Sequence, residues 1–457
     1  MQFILDFFGY IQALGVSVMM PIILTLLGTL LGAGFGKSLR AGLTVGVGFI
    51  GLNLVINSLL GTTLAPAVQT MVNNYGLSLS IVDVGWPAAA AIAMGSTIGA
   101  IIIPLGLLVN ILMLLTNTTQ TVDVDIWNYW HFAFTGSLVA IATGKMWIGI
   151  VAAVVNMIIV FVLGDITAPL IEESLGMPGV SMPHGFTVAY APIAMAINWV
   201  IDKIPGLNKI DLNLEKIQEQ FGVLGEPVFI GTVIGIVIGF FAYGFDLKVV
   251  LPLGVSLGAV LVLIPKMAAL LMEGLIPISD AASEFIQKHF KSRGKMYIGL
   301  DSAVGCGHPT TLAISLILVP CMIILAFIIP GNQVLPFTDL AVAPYMLVLI
   351  TPVVKNNGFR GILVGIIVLA AGLLVATNLA PAITAAAAQV GFAMPDGATM
   401  ISSLCDGANP LSWLLYHGMS TLGYIGMGVL VVASLALAFW NRTRILKEAK
   451  ELHEAEK

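Results

Sequence analysis

A short set of ionisable residues sits in or beside runs that are otherwise apolar: Asp83, Asp125, His131, His184, Glu226, Asp301, His308, Asp339, Asp396 and Asp406. A charge held in hydrocarbon costs about 2.5–3.5 kcal/mol or more, so each member is a candidate for function. Nearly all of them neighbour Gly or Pro, where helices break and freed backbone groups can line a cavity. His184 lies in Met182-Pro183-His184-Gly185, which holds the imidazole on an irregular segment. Asp301 follows Gly299-Leu300 and precedes Gly305-Cys306-Gly307-His308-Pro309, an acid in a glycine-rich re-entrant stretch. Asp301 and His184 are therefore the candidate catalytic pair, since both side chains can accept a proton.

The remaining candidates are expected to face the substrate. His131 heads an apolar segment at the end of Val124-Asp-Ile-Trp-Asn-Tyr-Trp-His131, and Asn128 belongs to the same cluster. Trp127 and Trp130 there suit the aromatic belt of a membrane interface. Glu226, between Gly225 and Pro227, either lines the path or sits in the first turn of a helix, where the dipole favours an acid. His308 either contacts substrate or orients Asp301. Asp83 and Trp86 of Val82-Asp-Val-Gly-Trp-Pro87, and Asp396 of Met394-Pro-Asp-Gly397, complete the substrate-facing set. Asp339 and Asp406 read as loop or cap residues.

Other chemistries are excluded by pattern. There is no Walker loop, Rossmann fingerprint, His-Glu-x-x-His pair or nucleophile elbow. Cys306, Cys321 and Cys405 show no ligand spacing, so neither a metal site nor a disulfide framework is expected, and no cofactor. A net charge of -5 without a basic stripe gives no footprint for nucleic acid.

The elements that must position these residues are membrane helices. The chain is 58% apolar and 9% charged, against roughly 25% charged in a soluble domain. At about 20 apolar residues per crossing, the sequence yields about ten or eleven candidate spans. The clearest run near 13–31, 42–60, 98–115, 146–162, 228–243, 249–264, 311–329, 340–354, 362–377 and 424–440. Shorter apolar pieces near 86–94, 131–141, 186–200 and 297–305 read as broken or re-entrant helices. Stretches 65–75 and 266–289 read as amphipathic arms along the interface. The first apolar segment, with Asp6 and no Lys or Arg before it, is expected to be a retained helix rather than a signal peptide. Arg442, Arg444 and Lys447 place the carboxyl terminus in the cytoplasm by the positive-inside rule.

An internal repeat organises the spans. Pro21–Gly28 resembles Val228–Gly235 at an offset of 207, and Gly32 and Gly239 keep it. Val82–Pro87 has a counterpart in Ile298–Asp301 and the glycines after it. Ser181–Gly185 matches Ala393–Gly397 at an offset of 212, shared by Ala168-Pro169 and Ala380-Pro381. About five spans per half, an odd number, would invert the second half relative to the first, an arrangement found in transporters with broken helices. The expected divisions are 1–200 for the first repeat and 201–223 for a polar connecting loop. The second repeat follows at 224–418, and 419–457 holds a last helix and tail.

Six segments resemble the galactitol-type enzyme II C component of the bacterial phosphotransferase system, within the ascorbate-galactitol superfamily. They are Val82–Pro87, Val124–His131, Pro183–Gly185, Phe221–Val228, Ile298–Asp301 and Pro330–Ala341 (Pro-Gly-Asn-Gln-Val-Leu-Pro-Phe-Thr-Asp-Leu-Ala). The likeness spans nearly the whole chain, with the last segment the most specific. It implies a permease of the cytoplasmic membrane for a small polyol, phosphorylated by a phosphocysteine on a separate II B protein that is itself served by II A. It also implies a homodimer in contact with lipid, with a transport core moving against a dimerising scaffold as an elevator. By motif, His131, His184 and Asp301 would hold the substrate. A proton- or sodium-coupled secondary transporter would share the repeats and buried carboxylates.

Overall fold

The computed structural model describes residues 16–55, 80–212, 227–289, 295–336, 338–392 and 399–455, with scattered positions between 58 and 74. The first half runs α1 (Val16–Leu30), α2 (Phe35–Val55), β1 (Ile81–Asp83), α3 (Gly85–Gly95), α4 (Gly99–Leu115), β2 (Thr121–Asp123), α5 (Trp130–Thr143), α6 (Met146–Leu175), β3 (Val180–Ser181) and α7 (Ala191–Lys203). The second begins with α8 (Pro227–Tyr243), α9 (Leu247–His289), β4 (Tyr297–Gly299), α10 (Ala303–Cys306), α11 (Pro309–Ile328) and β5 (Val334–Leu335). It continues through α12 (Ala343–Leu347), α13 (Ile350–Val353), α14 (Gly358–Gln389), β6 (Met400–Ser402), α15 (Pro410–Ser420) and α16 (Gly423–Ala455).

Helix dominates, as an apolar chain in lipid requires, because a helix satisfies its own backbone. Among the described residues four helices are long and apolar enough to cross a bilayer: α6, α11, α14 and the Gly423–Glu451 part of α16. α3 and α4 make a fifth crossing if they are one span broken by a bend of 86°. At that break the Ser96 hydroxyl donates to the Ala93 carbonyl and accepts the Gly99 N–H, holding the kink. Other expected spans hold shorter apolar helices, among them the cores of α1 and α8, and α5 is a short apolar helix where a short piece was expected.

Two expectations about the helices change. Residues 340–354 are not one span: a 3-10 turn (Thr338–Val342), α12 and α13 follow one another, with Pro344 and Pro352 in the run. A proline lacks the N–H and clashes with the preceding turn, so the run fragments. Residues 266–289 are not a separate arm but the continuation of α9, whose 43 residues reach about 65 Å. That is about twice the hydrocarbon thickness. The other expected arm, at 65–75, lies largely outside the described residues, as does the amino-terminal segment before Val16.

The all-helical reading also gains two small parallel sheets. One has the order β5-β1-β6 and the other β2-β4-β3. Ile81 pairs with Val334 on one side and Met400 on the other; Ile298 pairs with Val122 and Val180. In each sheet the middle strand comes from one half of the chain and both outer strands from the other. Strands inside a membrane protein are tolerated when buried in protein, and Ile81, Asp83, Tyr297 and Ser181 are all buried.

Helix contacts fall into two sets. α1, α2, α8 and α9 pack on one another, and the remaining helices gather around the sheets. The sets meet where α8 and α9 lie against α10 and α11. In the first set a Cβ at Gly235 would come within 2.8 Å of the Gly254 Cα, so glycine is what lets α8 and α9 approach. α16 keeps an apolar row, including Ile425, Val429, Val432 and Phe439, all exposed.

Candidate functional site

β2, β3 and β4 run parallel and side by side, and each hands over a candidate side chain from its carboxyl end. That is where parallel strands in general leave a binding crevice. β2 leads through a 3-10 turn (Ile126–Tyr129) to His131, the second residue of α5. β3 leads within three residues to His184, and β4 within two to Asp301. Asn128 lies in the turn, donating its amide to Asp125 Oδ2 at 2.6 Å. The Asp125 N–H in turn reaches Asp123 Oδ1 at 3.0 Å, bending the chain after β2.

The side chains converge on one line. His131 Nε2 lies 3.3 Å from His184 Nε2, and the rings meet nearly edge to face. His184 Nε2 is 3.7 Å from Asp301 Oδ1. On its far side His131 Nδ1 lies 2.7 Å from Asp406 Oδ2. All four residues are buried. His184 Nδ1 faces the Thr187 N–H at 3.4 Å and the Thr187 hydroxyl at 3.2 Å. That hydroxyl lies 2.9 Å from both Ser302 Oγ and the Tyr345 carbonyl, tying the β3 and β4 loops together. The Ala303 N–H fixes Asp301 Oδ1 at 2.8 Å. Gly185 admits the whole arrangement, because a Cβ there would stand 2.6 Å from the His131 Cβ.

Asp301, His184, His131 and Asn128 are thus brought to one sheet end. Asp83 and Trp86 are not: they lie at the end of β1, in the other sheet. Asp83 Oδ1 accepts the Gly85 N–H and Oδ2 the Asp339 N–H. The Trp86 N–H donates to Asp339 Oδ1 at 2.7 Å. The Asp83 carboxylate and the Trp86 backbone N–H tie the loop after β1 to the turn at Asp339. His308 caps the start of α11 by position, and its buried Nδ1 has no hydrogen-bond partner among the described residues. Glu226 and Asp396 lie outside the described residues.

Two acids carry more than their sequence context suggested. Asp339, read as a loop or cap residue, does accept backbone N–H groups, including that of Cys405 at 3.0 Å. Asp406, read the same way, instead faces His131. It stands before Gly407, the same glycine neighbourhood that singled out the other candidates. Asp165 was missed entirely, although an acid within a 30-residue apolar helix is itself a signal. Buried in α6, it accepts the hydroxyls of Thr119 and Thr121, the Gln120 N–H and the Asn441 amide, joining the start of β2 to α16.

Potential ligand atoms of His131, Cys405 and Asp406 lie within 4.8 Å of one another. A metal ion there would have to displace the His131–Asp406 bond. The arrangement as it stands sets two imidazoles between two carboxylates, Asp406 on one side and Asp301 on the other.

A family model described as the sugar-specific permease component of the PTS system matches residues 10–397. The galactitol-specific EIIC component of Escherichia coli (strain K12) is 38% identical over 445 residues, covering 96% of this chain and 97% of that protein. Its counterpart in Escherichia coli O157:H7 gives the same figures, 38% over 445 residues. A further Escherichia coli (strain K12) protein, named provisionally as a permease IIC component, is 39% identical over 441 residues, 96% of this chain and all of that one.

Proposed function

The chain belongs to the sugar-specific permease family of the phosphotransferase system, and we propose that the substrate it carries is a galactitol-like polyol held by His131, His184 and Asp301. Family membership makes it the multi-pass membrane component that moves a sugar-type substrate in step with its phosphorylation, working with separate II A and II B subunits. The observation that carries the polyol reading is the buried line of His131, His184 and Asp301, with neighbours at 3.3 and 3.7 Å. A neutral polyol offers only hydroxyls, which are donors and acceptors at once. A site for it needs side chains of both kinds rather than a fixed counter-charge. The galactitol specificity of two relatives points the same way.

Asp301 is the general base of the proposed transfer. A polyol hydroxyl attacks the phosphorus of the II B phosphocysteine, the O–P bond forms, the S–P bond breaks and the hydroxyl proton passes to Asp301. His184 stands beside the carboxylate to orient the same hydroxyl. Positioning supplies most of the rate, as in phosphoryl transfer generally. The product leaves as a charged phosphate, trapped inside.

Transport requires the buried cluster to be exposed to each side in turn. The proposal assigns α1, α2, α8 and α9 to a dimerising scaffold, and the sheets with their helices to a core that slides as an elevator. The first two helices of each half make up that scaffold set, and each sheet mixes strands of both halves. Both facts support an inverted repeat with halves at 1–200 and 224–418. By strand pairing, β3 corresponds to β6, so the counterpart of His184 falls near Cys405 and Asp406 rather than at Asp396. Arg442, Arg444 and Lys447 after the lipid-facing part of α16 support a cytoplasmic carboxyl terminus.

The test is reconstitution. Vesicles holding this chain alone should bind galactitol without accumulating it. Adding II B, its upstream phosphoryl donors and phosphoenolpyruvate should produce galactitol phosphate in the lumen, and collapsing the proton gradient should change little. Accumulation of unmodified galactitol under an ion gradient alone would replace this reading with a secondary transporter.

A further inference from the structure

His131 is the only one of the clustered residues that touches both sheet ends. Its Nε2 faces His184, on the loop after β3, and its Nδ1 faces Asp406, on the loop after β6. A neutral imidazole has one N–H and one lone pair, and the partner of one nitrogen decides the role of the other. At 2.7 Å the Asp406–His131 bond is the shortest in the cluster, and both side chains are buried. The other Asp406 oxygen is occupied by the Asn409 amide at 3.3 Å. That same amide donates to the Gly185 carbonyl at 3.0 Å, next to His184. Asn409 is in turn immobilised as the amino-terminal cap of α15, its oxygen accepting the N–H groups of Leu411 and Ser412. Asp406 is held from behind by an element of fixed geometry.

One assignment of protons gives each imidazole one donor contact and one acceptor contact. The Thr187 N–H is a donor that cannot be turned around, so His184 Nδ1 is the acceptor and His184 Nε2 carries the proton. That proton points at His131 Nε2, which must then hold a lone pair. His131 Nδ1 is left with the proton, and it goes to Asp406. Reversing His131 alone would set N–H against N–H between the two imidazoles, and reversing both would turn a bare His131 Nδ1 toward Asp406 and a His184 Nδ1–H toward the Thr187 N–H.

We propose that Asp406 is a positioning residue for the substrate, fixing His131 as the Nδ1–H tautomer so that Nε2 is an acceptor beside the His184 Nε2–H and the Asp301 carboxylate. The three form an acceptor, donor, acceptor row matched to neighbouring hydroxyls of a polyol. An incoming hydroxyl donates to His131 Nε2 and accepts from His184, replacing the long 3.3 Å contact between the rings. The inference deepens the proposed polyol reading and rests on it only for what the row binds. The tautomer itself is a property of the empty protein.

The experiment is nitrogen NMR of protein labelled with 15N-histidine in lipid nanodiscs, His131 being assigned by the signals lost in His131→Gln. Ligand-free wild type should show His131 protonated at Nδ1 and bare at Nε2. Asp406→Asn, which can present an amide N–H to Nδ1, should shift His131 toward the Nε2–H form. Galactitol binding by calorimetry should then weaken by about tenfold or more. In a His131→Gln background the same Asp406→Asn change should cost little further, because its effect runs through that ring. Nε2–H in the wild-type spectrum overturns the inference, even if the variant fails to fold. So does an undiminished cost in the His131→Gln background. If wild type binds no polyol, the substrate reading falls, while the spectrum still decides the role of Asp406.

Discussion

The sheet β5-β1-β6 and the sheet β2-β4-β3 are built alike, each with parallel strands and a middle strand borrowed from the opposite half, yet Asp83 and Asp339 at the first carboxyl end and Asp301 at the second are used in opposite ways. At the first, Asp83 and Asp339 accept the backbone N–H groups of Gly85, Trp86, Cys405 and Asp339 itself, and Asp339 also takes the Ser403 hydroxyl. At the second, Asp301 accepts one backbone N–H at 2.8 Å, has the Asn128 and Ser302 side chains beside it and faces His184 at 3.7 Å. Carboxylates spent on backbone donors stitch loops into a fixed shape. A carboxylate that looks at an imidazole across a gap has capacity left for a ligand. Burial alone does not separate the two, since Asp83, Asp339 and Asp301 are all buried.

The comparison predicts where substitution hits hardest. Asp301→Asn should abolish phosphorylation-linked uptake, by about a hundredfold or more for loss of a general base, while expression and oligomeric state stay near normal. Uptake assays in vesicles carrying II B and its donors read this directly. Wild-type uptake by the mutant would remove Asp301 from the chemistry and erase the contrast between the two sheet ends.

His184→Ala comes next. It removes the donor at the centre of the row and should weaken galactitol binding by about ten- to a hundredfold, as a site built to hydrogen-bond hydroxyls loses a buried partner. Asp396→Ala, in a Met-Pro-x-Gly sequence like that of His184 but not its counterpart by strand pairing, should cost much less. Calorimetric titrations in the reverse order would mean that the second half, not the first, supplies the chemistry.

Much of the cluster's membership was legible in the sequence because its signal is local. His184 between Pro183 and Gly185, and Asp301 after Gly299, are ionisable groups in broken apolar runs, and both reach the cluster. What stayed hidden depends on distance along the chain. Asp406 meets His131 across 275 residues, and Trp86 meets Asp339 across 253, so no spacing rule could have paired them. The sheets were illegible for another reason: strands of two or three residues are shorter than the four to eight that alternation needs to register. Helices such as α6 and α11, with long apolar runs, were read nearly at their true starts. The run at 340–354 misled because its length outweighed its prolines.

The smallest effect on transport chemistry is expected at the first sheet end, and there stability should suffer instead. In Asp339→Asn one oxygen becomes an NH2 facing donors, either the Trp86 N–H or the Ser403 hydroxyl and Cys405 N–H. The Ser403 hydroxyl can rotate to accept, but the two backbone N–H groups cannot. Either the Trp86 N–H goes unpaired or the Cys405 N–H keeps only the Ser403 Oγ at 3.2 Å, at a cost of about 1–3 kcal/mol. Thermal unfolding in detergent should shift down accordingly. The loop that carries Asp406 begins at this node, so some loosening of His131 would follow, but the row of His131, His184 and Asp301 keeps every side chain. Galactitol affinity of the folded fraction should stay within about twofold of wild type, the range in which separate sites act almost independently. A variant that melts like wild type but binds ten times more weakly would show that Asp339 belongs to the substrate site. The division between a stitching end and a working end would then have to be abandoned.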